Sequence, residues 1–167
     1  MKSRLGIFLL MIASFFTANG AENTSAAIES ARQLLLENKA ACVLLAPDGS
    51  VMLTENGRGI APLLTVYDKC NGKMDRTIVV DKVIGRATAA IAICGKVSHV
   101  HAEIMSQDAV AMLKQHNITV SYTLLVPRIL NRTRDGICPM EQTVENIEDP
   151  VQAVAALRKK LAELRKK

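Results

Sequence analysis

The sequence predicts a three-layer α/β/α sandwich built on a mixed sheet. Two patterns carry this. An opening helix and tight hairpin are followed by helical segments alternating with short β-rich runs, the order that makes a parallel sheet covered on both faces. The 167-residue chain is also long enough to bury one core without needing staples.

Residues 1–20 read as a secretory leader ahead of this domain. Lys2 and Arg4 give a positive start, Leu5 to Phe16 an apolar run, and Thr17-Ala18-Asn19-Gly20 a small-residue cleavage region before Ala21. The run is shorter than the roughly 20 apolar residues a spanning helix requires. The expectation is an exported chain, periplasmic or secreted, with no membrane span after cleavage.

Asn23, Thr24 and Ser25 offer N-caps for a first helix over Ala26–Asn38, with Ile28, Ala31, Leu34 and Leu35 at helical spacing. Ala41–Ala46 and Val51–Thr54 read as a hairpin, because Pro47-Asp48-Gly49-Ser50 supplies the angles of a tight turn. A short apolar helix spans Ile60–Asp68, followed by a polar loop to Arg76. Thr77–Val80 either extends as a strand or leads straight into a helix over Lys82–Cys94, stopped by Gly95. That helix is rich in alanine and apolar nearly all round, so it belongs at the centre.

Val97–Met105 is the next strand, and Ser106 caps a helix ending near His116. Ile118–Val126 is a β-rich strand closed by Pro127. Pro139 opens a helix to about Ile147. Asp149-Pro150 caps a last helix whose Val154, Leu157, Leu161 and Leu164 make a narrow stripe. The simpler use of the stripe is docking on its own domain; the other is pairing with a partner. The chain thus divides into a leader (1–20), an α/β domain (21–149) and a basic amphipathic helix (150–167).

Composition removes some functions. The formal net charge is +5, falling to +3 without the leader, and six of the bases crowd into 158–167. With 3 % aromatic residues and no Trp, the chain lacks both the basic folded face and the stacking platforms of a nucleic-acid reader. Cys42, Cys70, Cys94 and Cys138 lie far apart with no CxxC pair, which argues against a zinc knuckle or thioredoxin-type site. Disulfides remain open to an exported chain, though Cys42 and Cys94 sit in apolar runs that suit buried free thiols.

Three stretches resemble one known family: Val79–Ala90 (VVDKVIGRATAA), Val100–Val110 (VHAEIMSQDAV) and Leu125–Val144 (LVPRILNRTRDGICPMEQTV). They are similar to a bacterial family classed as a domain of unknown function with a cytidine deaminase-like fold, the likeness running over about 36–149. The resemblance implies a fold and not an activity. Deaminases hold zinc with His-x-Glu and Pro-Cys-x-x-Cys at two helix starts. His101-Ala102-Glu103 matches the first motif, but Cys138-Pro139-Met140-Glu141 has the proline on the wrong side and one thiol. The corresponding helix starts are expected at Asp81-Lys82 and Ser106-Gln107, which leaves His101 and Glu103 in a strand.

Four sets of residues remain as candidates. On one strand face, His99, His101 and Glu103 could join Cys138 around zinc, the low-ranked metal alternative; a hydrogen-bonded polar face is the simpler reading. Asp81 and Lys82 at a helix start, with Arg86 a turn on, suit a small anionic or nucleotide-like ligand; plain capping is simpler. Asn131 and Arg132 belong to a polar loop of the kind that carries binding groups. Cys138 and Glu141 open the following helix, one a possible nucleophile, the other electrostatically favoured there. The leading expectation is a non-catalytic small-ligand binding domain. A metal- or thiol-dependent hydrolase through His101, Glu103 and Cys138 is the rival, and an interaction module through the last helix the third reading.

Overall fold

The computed structural model describes residues 22–166. The expected leader lies outside the described residues. Among the described residues eleven elements follow in the order α1 (22–36), β1 (Cys42–Leu45), β2 (Val51–Glu55), α2 (Ala61–Lys69), β3 (Ile78–Ile84), α3 (Arg86–Cys94), β4 (His99–Ser106), α4 (Gln107–Gln115), β5 (Thr119–Val126), α5 (Pro139–Val144) and α6 (Pro150–Leu164). The five strands form one mixed sheet in the order β2-β1-β3-β4-β5. β1 pairs antiparallel with both β2 and β3, whereas β3, β4 and β5 run parallel.

Each face of the sheet has its own core. Cys42, Leu44, Val79, Val100 and Ala102 point to one side and pack beneath α2 to α6. Val43, Leu45, Ile78 and Val80 point to the other and meet Ile28, Ala31 and Leu35 of α1. Strands β1 and β3 are therefore apolar on both faces, as the middle layer of a sandwich requires. The small-sided α3 sits centrally, with Ala89, Ala90, Ile91 and Ala92 wholly buried.

α6 packs on α3 and α5, with Leu157 fully buried and Val154 nearly so. Arg158 pairs with Asp68 of α2, fixing the helix further. Only Leu164 of the apolar stripe is exposed. The stripe is thus largely spent on its own domain. Among the described residues, no helix is long and apolar enough to cross a membrane.

Three parts of the chain differ from expectation. α1 starts before its expected caps, and Asn23 instead donates to the Asp48 carbonyl of the β1–β2 turn. It ends at 36, with Asn38 in the left-handed region. α5 stops at Val144 instead of running to Ile147. The third difference moves the candidate site. The β-rich run continues through Asp81 and Lys82 to Ile84, and only at Gly85 does the chain turn into α3. Strand register with β4 extends through Ile84↔Met105, so ladder hydrogen bonds outweigh the helix-start signal of Asp81-Lys82.

Candidate functional site

The parallel strands β3, β4 and β5 all end on the same edge of the sheet, where α3 and α4 begin. Such an edge is the usual binding position in open α/β folds. A cleft of about 200 Å³ lies there, walled by Arg86, Asp108, Arg128, Ile137, Glu141 and Glu145. Gly85 is extended at the head of α3, and its N–H donates to Thr88 Oγ1 at 2.9 Å. The next two N–H groups point at the cleft. Glu141, from α5, accepts both: Arg86 N–H to Oε2 at 2.8 Å and Ala87 N–H to Oε1 at 3.0 Å.

The free N–H groups and dipole of a helix N-terminus attract an anion. Here that anion is the chain's own carboxylate. Burial raises the Glu141 carboxyl above its ordinary range, the two backbone bonds oppose that, and Asp108 across the cleft raises it further. Arg86 is turned away, donating to the carbonyls of Val144 and Ile147 and to Glu148. Arg128 is paired with Glu145 at 3.2 Å. Arg86 is therefore held by three acceptors and Arg128 by one, so the cleft presents the Asp108 and Glu141 oxygens beside the remaining N–H groups of Arg128.

Of the expected anion site, Arg86 and Glu141 come together and Asp81 and Lys82 do not. Asp81 lies buried in β3 opposite Cys42 of β1. Its Oδ1 accepts the Val83 N–H at 3.0 Å, and Oδ2 has no partner among the described residues. Burial pushes its carboxyl up to about 7. Lys82 reaches the opposite layer and donates to Asn38 Oδ1 at 2.7 Å. Asn131 bonds Asp135 within its own exposed loop, beside exposed Arg132, and neither lines the cleft.

The zinc set is also divided by the sheet. His99, His101 and Glu103 do share a face, the α1 face. Cys138 packs against the core beneath the other. Glu103 is held instead by Arg32 of α1, through Nε–Oε1 at 2.6 Å and Nη2–Oε2 at 3.0 Å. Among the described residues, no group of three or more His, Cys, Asp and Glu could hold a metal ion. At the two helix starts stand Gly85, Arg86 and Ala87, then Ser106, Gln107 and Asp108, without His or Cys. This donor set does not fit the zinc that a deaminase likeness implies.

All four cysteines are free. Cys42 is fully buried, and burial first, then neighbouring Asp81, raises its thiol. Sequence reasoning did not find Asp108, Arg128 or Glu145 in the cleft, nor Arg32 and Ser121 on the far face. Asp108 had a local signal, an acid in the first turn of the helix capped by Ser106. The others are brought in only by chain folding.

The order of these elements and the cleft at the α3 start can be set against known proteins. The sequence model of a family described as "Domain of unknown function (DUF1893)" matches residues 30–161. The chain belongs to the DUF1893 family. No curated protein matches the sequence. The crystal structure of a DUF1893 family protein from Thermotoga maritima superposes with a TM-score of 0.73 at 21 % identity, covering 81 % of this chain and 90 % of that one. At that identity the likeness bears on fold alone, and it agrees with the α/β sandwich. The DUF1893 match ends within α6, so most of that helix belongs to the family's domain.

Proposed function

We propose that the Glu141 cleft of this DUF1893 domain is a non-catalytic binding site on a scaffold that resembles the cytidine deaminases. Its ligand is small and nucleotide-like, and it enters the cleft at the carboxyl ends of β3, β4 and β5. The observation that carries the reading is Glu141 seated on the Arg86 and Ala87 N–H groups in the cleft wall. The seat fixes a carboxylate in the same cleft as Asp108, so the cleft offers a pair of acceptors. An amino-bearing heterocycle supplies the matching donors. A free anion is disfavoured at the start of α3, because Glu141 already occupies the helix dipole and Arg86 is turned to Val144, Ile147 and Glu148. Drug-sized sites run to roughly 300–1,000 Å³, so a cleft of about 200 Å³ suits one ring system.

Export is part of the same proposal, supported by the charged, apolar and small-residue segments of residues 1–20. The binding test is amide NMR with single bases. Adenine or cytosine should shift Ala87 and Asp108, an effect lost in Asp108→Ala, while hypoxanthine and uracil should not. Shifts caused instead by phosphate or acetate would replace this ligand class with an anion. No shift with any of them would sink the reading.

A further inference from the structure

The opposite face of the sheet carries a second polar array that the cleft does not use. Between α1 and strands β4 and β5 runs an open groove of about 890 Å³, whose lining includes Ile28, Arg32, His99, His101 and Ser121. In it the Ser121 hydroxyl lies 2.8 Å from His101 Nδ1 and 2.9 Å from His99 Nε2. The register of β4 with β5 sets His101 directly beside Ser121. His101 is 93 % buried, and its other nitrogen, Nε2, has no hydrogen-bond partner among the described residues. That nitrogen faces Glu103 Oε1 at 3.7 Å. Glu103 is itself fixed by the two-point contact with Arg32.

These contacts fix a direction for the protons. A carboxylate opposite Nε2 favours the tautomer with the proton on that nitrogen, which leaves Nδ1 as an acceptor. Ser121 then donates to His101 Nδ1, and the remaining bond runs from His99 Nε2–H to the serine oxygen. Burial and Arg32 lower the His101 pKa, and burial with its neighbour His101 lowers that of His99, so both rings are neutral at neutral pH. A neutral imidazole bonded to a hydroxyl and backed by a carboxylate has the roles of an acyl-transfer triad, which are recognised by geometry and not by chain order. Catalytic hydrogen bonds also run long before substrate binds, as the 3.7 Å contact does.

We propose that Ser121, His101 and Glu103 form a nucleophilic site that hydrolyses short, uncharged carboxylic esters. Ser121 Oγ attacks the ester carbonyl while its proton passes to His101 Nδ1. The carbon–oxygen bond to the alcohol breaks, and the alcohol leaves with that proton. Water, deprotonated by the same nitrogen, then releases the carboxylic acid and restores the serine. His99 Nε2–H, no longer needed by the serine oxygen, is then free to donate to the carbonyl oxygen. Glu103 is a positioning residue, acting through His101. Of the two faces, this one supports the hydrolase reading, with a hydroxyl in the role expected of the Cys138 thiol.

A fluorophosphonate ester is the first probe, applied to the purified chain and followed by peptide mass spectrometry. One phosphonyl group per chain should appear on Ser121, and none in Ser121→Ala. His101→Gln should slow labelling at least tenfold. The wild-type labelling rate should rise with pH through a single titration below 6.5, and that midpoint should move upward in Arg32→Met. Wild-type protein that takes up no label at Ser121 overturns the proposal, whatever the variants do. Labelling at an unchanged rate in a folded His101→Gln also overturns it. Because this groove and the Glu141 cleft lie on different parts of the fold, either proposal can fail without the other.

Discussion

Gly85 and Glu141 depend on each other. A methyl group at position 85 would lie 2.6 Å from Glu141 Oε2 and overlap the whole carboxylate. The backbone at Gly85 is extended and would accept any residue, so the glycine is there for space. Its smallness lets α5 lay a carboxylate across the first turn of α3, and that contact shapes the cleft.

Gly85→Ala should therefore cost about 2 kcal/mol, from overpacking and the loss of charge-assisted bonds at the helix start. Glu141→Ala should cost a similar amount. Denaturant unfolding of the double variant should show a loss well short of the sum, since both changes remove one interaction. Additive losses would mean that the residues act separately.

Asp81 makes stability depend on pH in an uncommon direction. Its folded carboxyl titrates near 7, above the unfolded value of about 3.9, so the folded chain holds the proton more tightly. This contribution is full below about pH 4, declines as pH rises towards 7 and is absent above that. Asp81→Asn keeps an oxygen for the Val83 N–H and carries no charge. Relative to wild type it should gain stability across that window, by about 4 kcal/mol at pH 8. A pH-independent difference between the two in urea melts would refute the assignment.

The Arg32–Glu103 pair should show the opposite dependence. Hydrogen bonding to Arg32 holds the Glu103 carboxyl below its ordinary range. Its contribution is present above the ordinary carboxyl value and is lost as pH falls through the lowered one. Arg32→Met should cost about 1–3 kcal/mol at pH 7, by leaving a half-buried carboxylate alone, and much less at pH 3. The same variant should raise the His101 pKa by NMR, since Arg32 helps to lower it.

Four free thiols imply a simple count. Denatured protein, prepared without reductant, should react with four equivalents of a thiol reagent. In native buffer Cys42 should stay protected, reacting only as fast as the β1–β3 region opens. Two or fewer reactive thiols in the denatured chain would show that disulfides form where the protein resides.

The exported reading is tested at the chain's beginning. Protein recovered from outside the cytosol should start at Ala21, as read by N-terminal sequencing. A chain that begins at Met1 and stays inside would remove that part of the proposal.

Much of the fold was legible because periodicity and punctuation are local. The hairpin turn at Pro47 to Ser50, the Ser106 and Asp149 caps and the β-rich run of β5 all lie where the sequence puts them. The error at Asp81-Lys82 has a physical source. Two polar residues with helix-start character interrupt a run of valines, and nothing nearby reveals that β4 will pair alongside and hold both in a strand. Similarly, His99, His101 and Glu103 share a face by strand alternation alone, and the structure keeps that.

What the sequence determined by itself is the α/β class, the order of elements, the central alanine-rich helix and membership of a recognisable family, since these rest on spacing along the chain. Only the tertiary structure decided where α3 starts, that Glu141 fills its N-terminus, that Cys138 is cut off from the histidines, and that Arg32 and Ser121 meet Glu103 and His101. Those partners stand 54 or more positions apart in the first case, 71 for Arg32 with Glu103, and 20 for Ser121 with His101. No local pattern encodes such distances. The sheet's two faces and its strand order bring some of those residues together and separate the rest.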